Sequence, residues 1–203
     1  LAEDFHKEMD VDFDQGGLCG VVFHTGQQHT DLMNEVMNIY QWTNALYADT
    51  FCSVRKMESE IVAMMIKIFN GSHAASACGV LTSGGTESIC MAVKSYRDWG
   101  RSKGITRPNF IAPITIHCAF DKACAWYGVD LIKVPVLDTT GRVDPPVLES
   151  YITSDTIAIT GSASNFPHGI VDPITELGAI AKRRGIGFHV DACLGGFVIQ
   201  FME

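Results

Sequence analysis

From Ala77 onward the chain alternates short β-rich runs with helical ones, and this alternation restricts its fold more than any other feature. Strands separated by helices pair in parallel, because each return crossing needs a dozen or more residues and a helix that covers the sheet. The pattern predicts strands at Ala77–Thr82, Asn109–Thr115, Val129–Val134, Thr156–Gly161 and Gly187–Asp191. Helices between them are expected to start near Thr86, His117, Asp144 and Asp172. Asp144-Pro145 and Asp172-Pro173 each put a capping carboxylate before a proline, whose missing N–H is harmless in a first turn. Gly128 and Gly185 follow helical stretches, where a left-handed residue ends a helix. The expected fold class is α/β, three layers around a mostly parallel sheet.

Upstream, residues 1–28 are polar and punctuated by glycine, and two helical patterns follow at His29–Trp42 and Ser53–Phe69. The second sets Val54, Met57, Ile61, Met64, Met65 and Ile68 at helical spacing. The division expected is a helical segment over 1–70 and a sheet-forming domain over 71–203. An apolar content of 47% in 203 residues supplies a core and excludes a disordered tail. Fifteen Lys and Arg against 23 Asp and Glu give a net charge of −8, and no basic run exceeds Arg183-Arg184, so a nucleic-acid surface is not expected. The apolar windows at 61–69 and 188–201 are short or broken by Lys67, Asp191 and Gly195-Gly196, below the roughly 20 residues that cross a bilayer. Seven cysteines without a C-x-x-C are expected as reduced, mostly buried thiols of an intracellular, cytoplasmic protein. The start at Leu1 and the stop just after the apolar 197–201 stretch lead to the expectation that the chain is part of a longer polypeptide.

Chemistry is concentrated at the ends of the expected strands. Thr82-Ser-Gly-Gly-Thr-Glu-Ser88 joins a strand end to a helix through Gly84 and Gly85, either a tight β–α turn or an anion cradle built from first-turn N–H groups. It is neither the dinucleotide nor the nucleotide-hydrolase glycine motif. In Phe188-His-Val-Asp-Ala-Cys-Leu-Gly-Gly196, strand alternation puts His189 and Asp191 on one face, with Val190 and Ala192 on the other. A carboxylate at the carboxyl end of a parallel strand lies where such sheets bind ligands. His117 opens a helix after a strand, placed either to stack on a ring and move protons or to be satisfied by the helix terminus. The Asn165-Phe-Pro-His-Gly169 loop adds His168, and Ser162 lies just ahead of it. His189-x-Asp191 and His24-x4-His29 do not close a ligand set, so no metal is expected. No G-x-S-x-G elbow is present.

Taken together, these segments resemble the pyridoxal 5′-phosphate enzymes of fold type I, in the group of amino-acid decarboxylases and sphingosine-1-phosphate lyases. The likeness to the lyases is carried by Thr43-Asn44, Arg55-Lys-Met-Glu58, Ser95-Tyr-Arg-Asp98, Phe166-Pro-His-Gly169 with Asp172-Pro173, and His189-Val-Asp-Ala-Cys-Leu-Gly-Gly-Phe197 followed by Phe201-Met-Glu203. It runs from about Gly16 to the last residue. The resemblance implies part of a fold type I large domain, working as a homodimer. It implies that Gly84, Gly85 and Thr86 hold the cofactor phosphate, that Asp191 pairs with the pyridine nitrogen, and that His117 stacks on the ring opposite Ala192. Ser162 is expected beside the cofactor, while Asn44, Tyr47 and His168 are expected near the substrate.

The activity implied is retro-aldol cleavage of phosphorylated sphingoid bases to a long-chain aldehyde and phosphoethanolamine. A membrane anchor in the endoplasmic reticulum, where the family has one, would lie outside this chain, with the catalytic part on the cytosolic face. Two departures stand out. Tyr47 replaces the family's usual His, so a hydrogen-bond donor is kept and a positive charge is lost. The family's cofactor lysine sits in an Asp-x-His-Lys stretch downstream of the Asp191 motif, and no such stretch occurs here, so the chain alone is expected to be inactive. An amino-acid decarboxylase and a non-catalytic binding subunit remain the alternatives.

Overall fold

A computed structural model describes residues 25–74 and 76–202. The stretch 1–24, with Cys19 and His24, lies outside the described residues. The chain forms two compact units, 1–61 and 62–203, dividing within a helix. In the first unit lie α1 (Gln27–Tyr40) and the start of α2 (Cys52–Ile68), both within two residues of the expected bounds. The apolar spacing predicts the helices correctly, yet nothing in either is buried: Leu32, Met33 and Met37 of α1 and Met57, Ile61 and Met64 of α2 are exposed.

The second unit contains α3 (Gly85–Ser102), β1 (Asn109–Pro113), α4 (Ala119–Tyr127), β2 (Asp130–Val134), α5 (Pro145–Ser150), β3 (Thr156–Ser162), α6 (Ile174–Arg184) and β4 (Gly187–Asp191). All four strands run parallel in the order β2-β1-β3-β4. The central strands β1 and β3 are buried at every position, as expected of strands covered on both faces. Alternation splits the core. Phe110 and Ala112 pack with Val93 of α3 and Phe120 of α4, while Ile111 and Ile159 pack with Leu148 of α5 and Leu177 of α6. The order reverses at β1, so the chain leaves β1 and β3 toward opposite faces and opens a crevice at their carboxyl ends.

The expected strand at Ala77–Thr82 does not form. A strand requires a ladder partner, and among the described residues none pairs with this segment, whose Val80 and Leu81 are exposed. Asp172 is not a helix cap. Its carboxylate is buried and accepts from Ser162 N at 2.8 Å and Val143 N at 3.4 Å, so it staples the loop after β3, and Pro173 takes the capping position of α6. Burial pushes its pKa up against those hydrogen bonds. Asp144 does precede α5, but without a side-chain cap bond. Gly128 and Gly185 end α4 and α6 at φ of 65° and 67°, as expected. Of the six described cysteines only Cys90 and Cys124 are buried, because Cys52, Cys118 and Cys193 fall at helix starts or in a turn and Cys78 lies in the unpaired 77–82 segment. Burial pushes the Cys124 thiol up to about 12, with the Asp121 charge adding to it.

Two glycines let α3 lie close against the sheet. Tyr96 rests where Gly187 has no side chain, and its hydroxyl donates to Phe188 O at 2.7 Å. At Gly100 an added Cβ would run into the Cγ2 of Ile157. The Gly100→Ala substitution is expected to lower stability by about 1–3 kcal/mol through overpacking, read as a fall in the melting temperature of the complete polypeptide, although alanine is the better helix former.

Candidate active site

A cavity of about 560 Å³ opens at the carboxyl ends of the strands, between the start of α3, the turn before α4 and the end of β4. Another hollow, of about 470 Å³, lies at the opposite end of the sheet beside Trp99 and Lys103. Only the former brings the chemistry-bearing residues together.

Gly85, Thr86, His117, Asp191 and Ala192 line this cavity, which unites five of the residues expected from the sequence. The first-turn N–H groups of α3 have no carbonyl one turn back and are available to an anion. Gly84 precedes them, and nothing lies within 4 Å of where its Cβ would be, so a ligand can approach the backbone there. The turn is held from outside the cradle: Glu87 Oε2 accepts from both the N–H and the hydroxyl of Ser83 at 2.6 Å. These bonds hold the exposed Glu87 carboxyl below its ordinary range. On the inner side, the Thr82 hydroxyl lies 2.6 Å from that of Ser88, while the Thr86 hydroxyl has no protein partner among the described residues.

His117 combines the two roles the sequence left open. Its Nδ1 accepts from Ala119 N at 3.0 Å, so a free N–H of the α4 terminus fixes the ring while the imidazole borders the cavity. Asp191 is similarly half-committed. Oδ1 accepts from Cys193 N at 3.2 Å, which orients the carboxylate at the strand end, and Oδ2 has no partner among the described residues.

The remaining expected residues lie elsewhere. Ser162 is opposite Asp191 in the β3–β4 ladder but does not line the cavity, and its N–H goes to Asp172. His168 is on an exposed loop pinned by Asn165, whose Oδ1 accepts from His168 N at 3.0 Å. Asn44 and Tyr47 belong to the first unit, both exposed, in the turns between α1 and α2, where Asn44 Oδ1 accepts from Leu46 N at 3.1 Å. Sequence reasoning missed Ser88, Ile89, His189, Val190, Cys193 and Phe197 as cavity residues. For His189 the signal was available, since its two-residue offset from Asp191 already placed both on one face. Among the described residues no group of three or more His, Cys, Asp or Glu converges as for a metal ion.

The aminotransferase class-V family profile matches residues 25–196, and the chain belongs to that family. It is 44% identical over 186 residues to the sphingosine-1-phosphate lyase of Dictyostelium discoideum, covering 92% of this chain and 35% of that protein. With the sphingosine-1-phosphate lyase of Arabidopsis thaliana it is 47% identical over 194 residues, covering 92% of this chain and 36% of that one. Among solved structures, a Burkholderia pseudomallei sphingosine-1-phosphate lyase superposes with a TM-score of 0.87 at 36% identity, over 98% of this chain and 48% of that chain. Glutamate decarboxylase of Lactobacillus brevis, at 21% identity and a TM-score of 0.73 over 89% of this chain and 43% of that one, shares the fold. The fold is thus part of the fold type I large domain, and the likeness to the lyases extends along nearly the whole chain. The chain spans about a third of the length of those curated relatives.

Proposed function

We propose that the complete polypeptide is a pyridoxal 5′-phosphate-dependent lyase that cleaves phosphorylated sphingoid bases to a long-chain aldehyde and phosphoethanolamine. The observation that carries this reading is one cavity holding both a phosphate cradle and the half-free Asp191 carboxylate, in a chain 44–47% identical to two sphingosine-1-phosphate lyases. The donor set suits the cofactor: N–H groups and a free hydroxyl at one end for a dianionic phosphate, a carboxylate at the other for a protonated ring nitrogen, and an imidazole alongside. Bound there, the cofactor would supply a sink for the electrons released when a carbon–carbon bond next to the amine-bearing carbon breaks.

The chain's own residues define the rest. Gly84, Gly85 and Thr86 would bind the cofactor's phosphate, the Asp191 carboxylate would keep its ring nitrogen protonated, and His117 and Ala192 would hold its ring. Ile89 and Phe197 border the same space with apolar side chains. Ser162 acts from behind Asp191, and Asn44, Tyr47 and His168 serve the substrate, Tyr47 by hydrogen bonding without a charge. The uncovered apolar faces of α1 and α2 suit a second copy of the chain, which supports a homodimer. No helix among the described residues is long and apolar enough to cross a membrane, which is compatible with a cytosolic catalytic part.

The test is to supply the complete polypeptide with pyridoxal phosphate and a phosphorylated sphingoid base. Aldehyde and phosphoethanolamine should appear in equal amounts. Carbon dioxide from common amino acids, with no aldehyde, would replace the lyase reading with a decarboxylase.

A further inference from the structure

His189 is a cavity residue to which the proposed function gives no task. It stands two positions before Asp191 on β4, so both side chains leave the same face of the sheet, and both border the cavity. Its ring is held by aromatic edges, with centroids 5.5 Å from Phe120 at 72° and 6.4 Å from Tyr96 at 87°. Neither ring nitrogen has a hydrogen-bond partner among the described residues.

We propose that His189 is a positioning residue that keeps the Asp191 carboxylate available to a cationic ring by withholding a competing charge from it. The proposal rests on the cofactor reading above and deepens it. An imidazolium on the same face of β4 and bordering the same cavity would compete with a protonated ring nitrogen for the charge of the Asp191 carboxylate. The surroundings of His189 prevent that at neutral pH. From α3 it meets Tyr96, whose hydroxyl is committed to Phe188 O, and from α4 it meets Phe120. Beside it on β3 is Thr160, whose fully buried hydroxyl has no partner among the described residues. His117 and Cys193 border the cavity nearby, and Asp191 is the one acid among the cavity-lining residues. Burial pushes the His189 pKa below its ordinary 6.5 and outweighs the opposing pull of Asp191. The ring is therefore neutral above that value, and it takes up a proton, with Asp191 as partner, only as the pH falls below it.

The experiment uses the complete polypeptide stripped of cofactor and, as probe, pyridoxine 5′-phosphate, which keeps the phosphate and ring nitrogen but has no aldehyde to react with a lysine. Its affinity is measured by calorimetry from pH 8 to pH 5.5, for the wild type and for His189→Gln. The wild type should lose more affinity on acidification than the variant, with the additional loss at pH 5.5 held under about tenfold because the ring titrates below its ordinary 6.5. Equal profiles in the two proteins would overturn the proposal. If the variant fails to fold, the wild type alone decides. The analogue with a carbon in place of the ring nitrogen gives Asp191 nothing to hold, so it should escape the additional loss, while its phosphate titrates identically. An equal loss for both probes would overturn the proposal and leave the cofactor reading intact. Absence of pyridoxine 5′-phosphate binding at pH 8 would overturn both.

Discussion

In the complete polypeptide, Asp191→Asn is expected to lower kcat/KM for a phosphorylated sphingoid base by about 10²–10³-fold, the scale seen when one preorganised electrostatic partner is removed from a reacting centre. The amide preserves shape and can still accept from Cys193 N, so the turn after β4 should survive. What it would lose is the negative charge that, on the proposed function, keeps a ring nitrogen protonated. The melting temperature should stay within a degree or two of wild type while turnover collapses. If activity and stability fell together, Asp191 would be a structural staple like Asp172. Full activity in the variant would remove the carboxylate from the mechanism.

The second large effect is on stability. Phe120 has no exposed surface, and its ring lies 5.7 Å from that of Phe110 and 5.5 Å from that of His189, so it belongs to the core and supports a cavity-lining residue from beneath. Phe120→Ala should cost about 3–5 kcal/mol, the range for emptying a buried aromatic site. Whole domains are stable by only about 5–15 kcal/mol, so much of the margin would go. Denaturant midpoints of the complete polypeptide measure this. A change under about 1 kcal/mol would mean that the α4 layer packs more loosely than the structure shows.

The sequence disclosed the sheet well because its strands are short apolar runs set between strong helix signals. Gly187–Asp191 is found with the bounds read from the residues, and Thr156–Ser162 within one residue. Local patterns report burial and backbone preference, both of which these segments satisfy within the chain. Ala77–Thr82 carries the same apolar pattern but has no described strand to pair with, and pairing is a long-range condition invisible in a local run. Asp172 failed for a related reason. An Asp-Pro step reads as a cap, but the N–H groups of Ser162 and Val143, brought in by β3 and the loop before α5, compete for the carboxylate and win. The candidate site was legible where a motif is contiguous, as at Gly84-Gly85-Thr86 and Asp191-Ala192. It was not legible for Ser88 and Phe197, which reach the cavity only because α3 and the turn after β4 converge in space.

The bond from the Tyr96 hydroxyl to Phe188 O joins α3 to β4 next to the cavity-lining His189. From Tyr96 back to Gly85 the helix rises about 16 Å, and from Phe188 forward to Asp191 the strand extends about 10 Å. The two arms of the site are therefore tied at a common pivot, like the legs of a caliper. Its jaws, the cradle and the carboxylate, have an opening set by a fastening whose two residues are not themselves part of the cavity lining. On the proposed function, that opening would gauge the length from phosphate to ring nitrogen before any group in the cavity reads its chemistry.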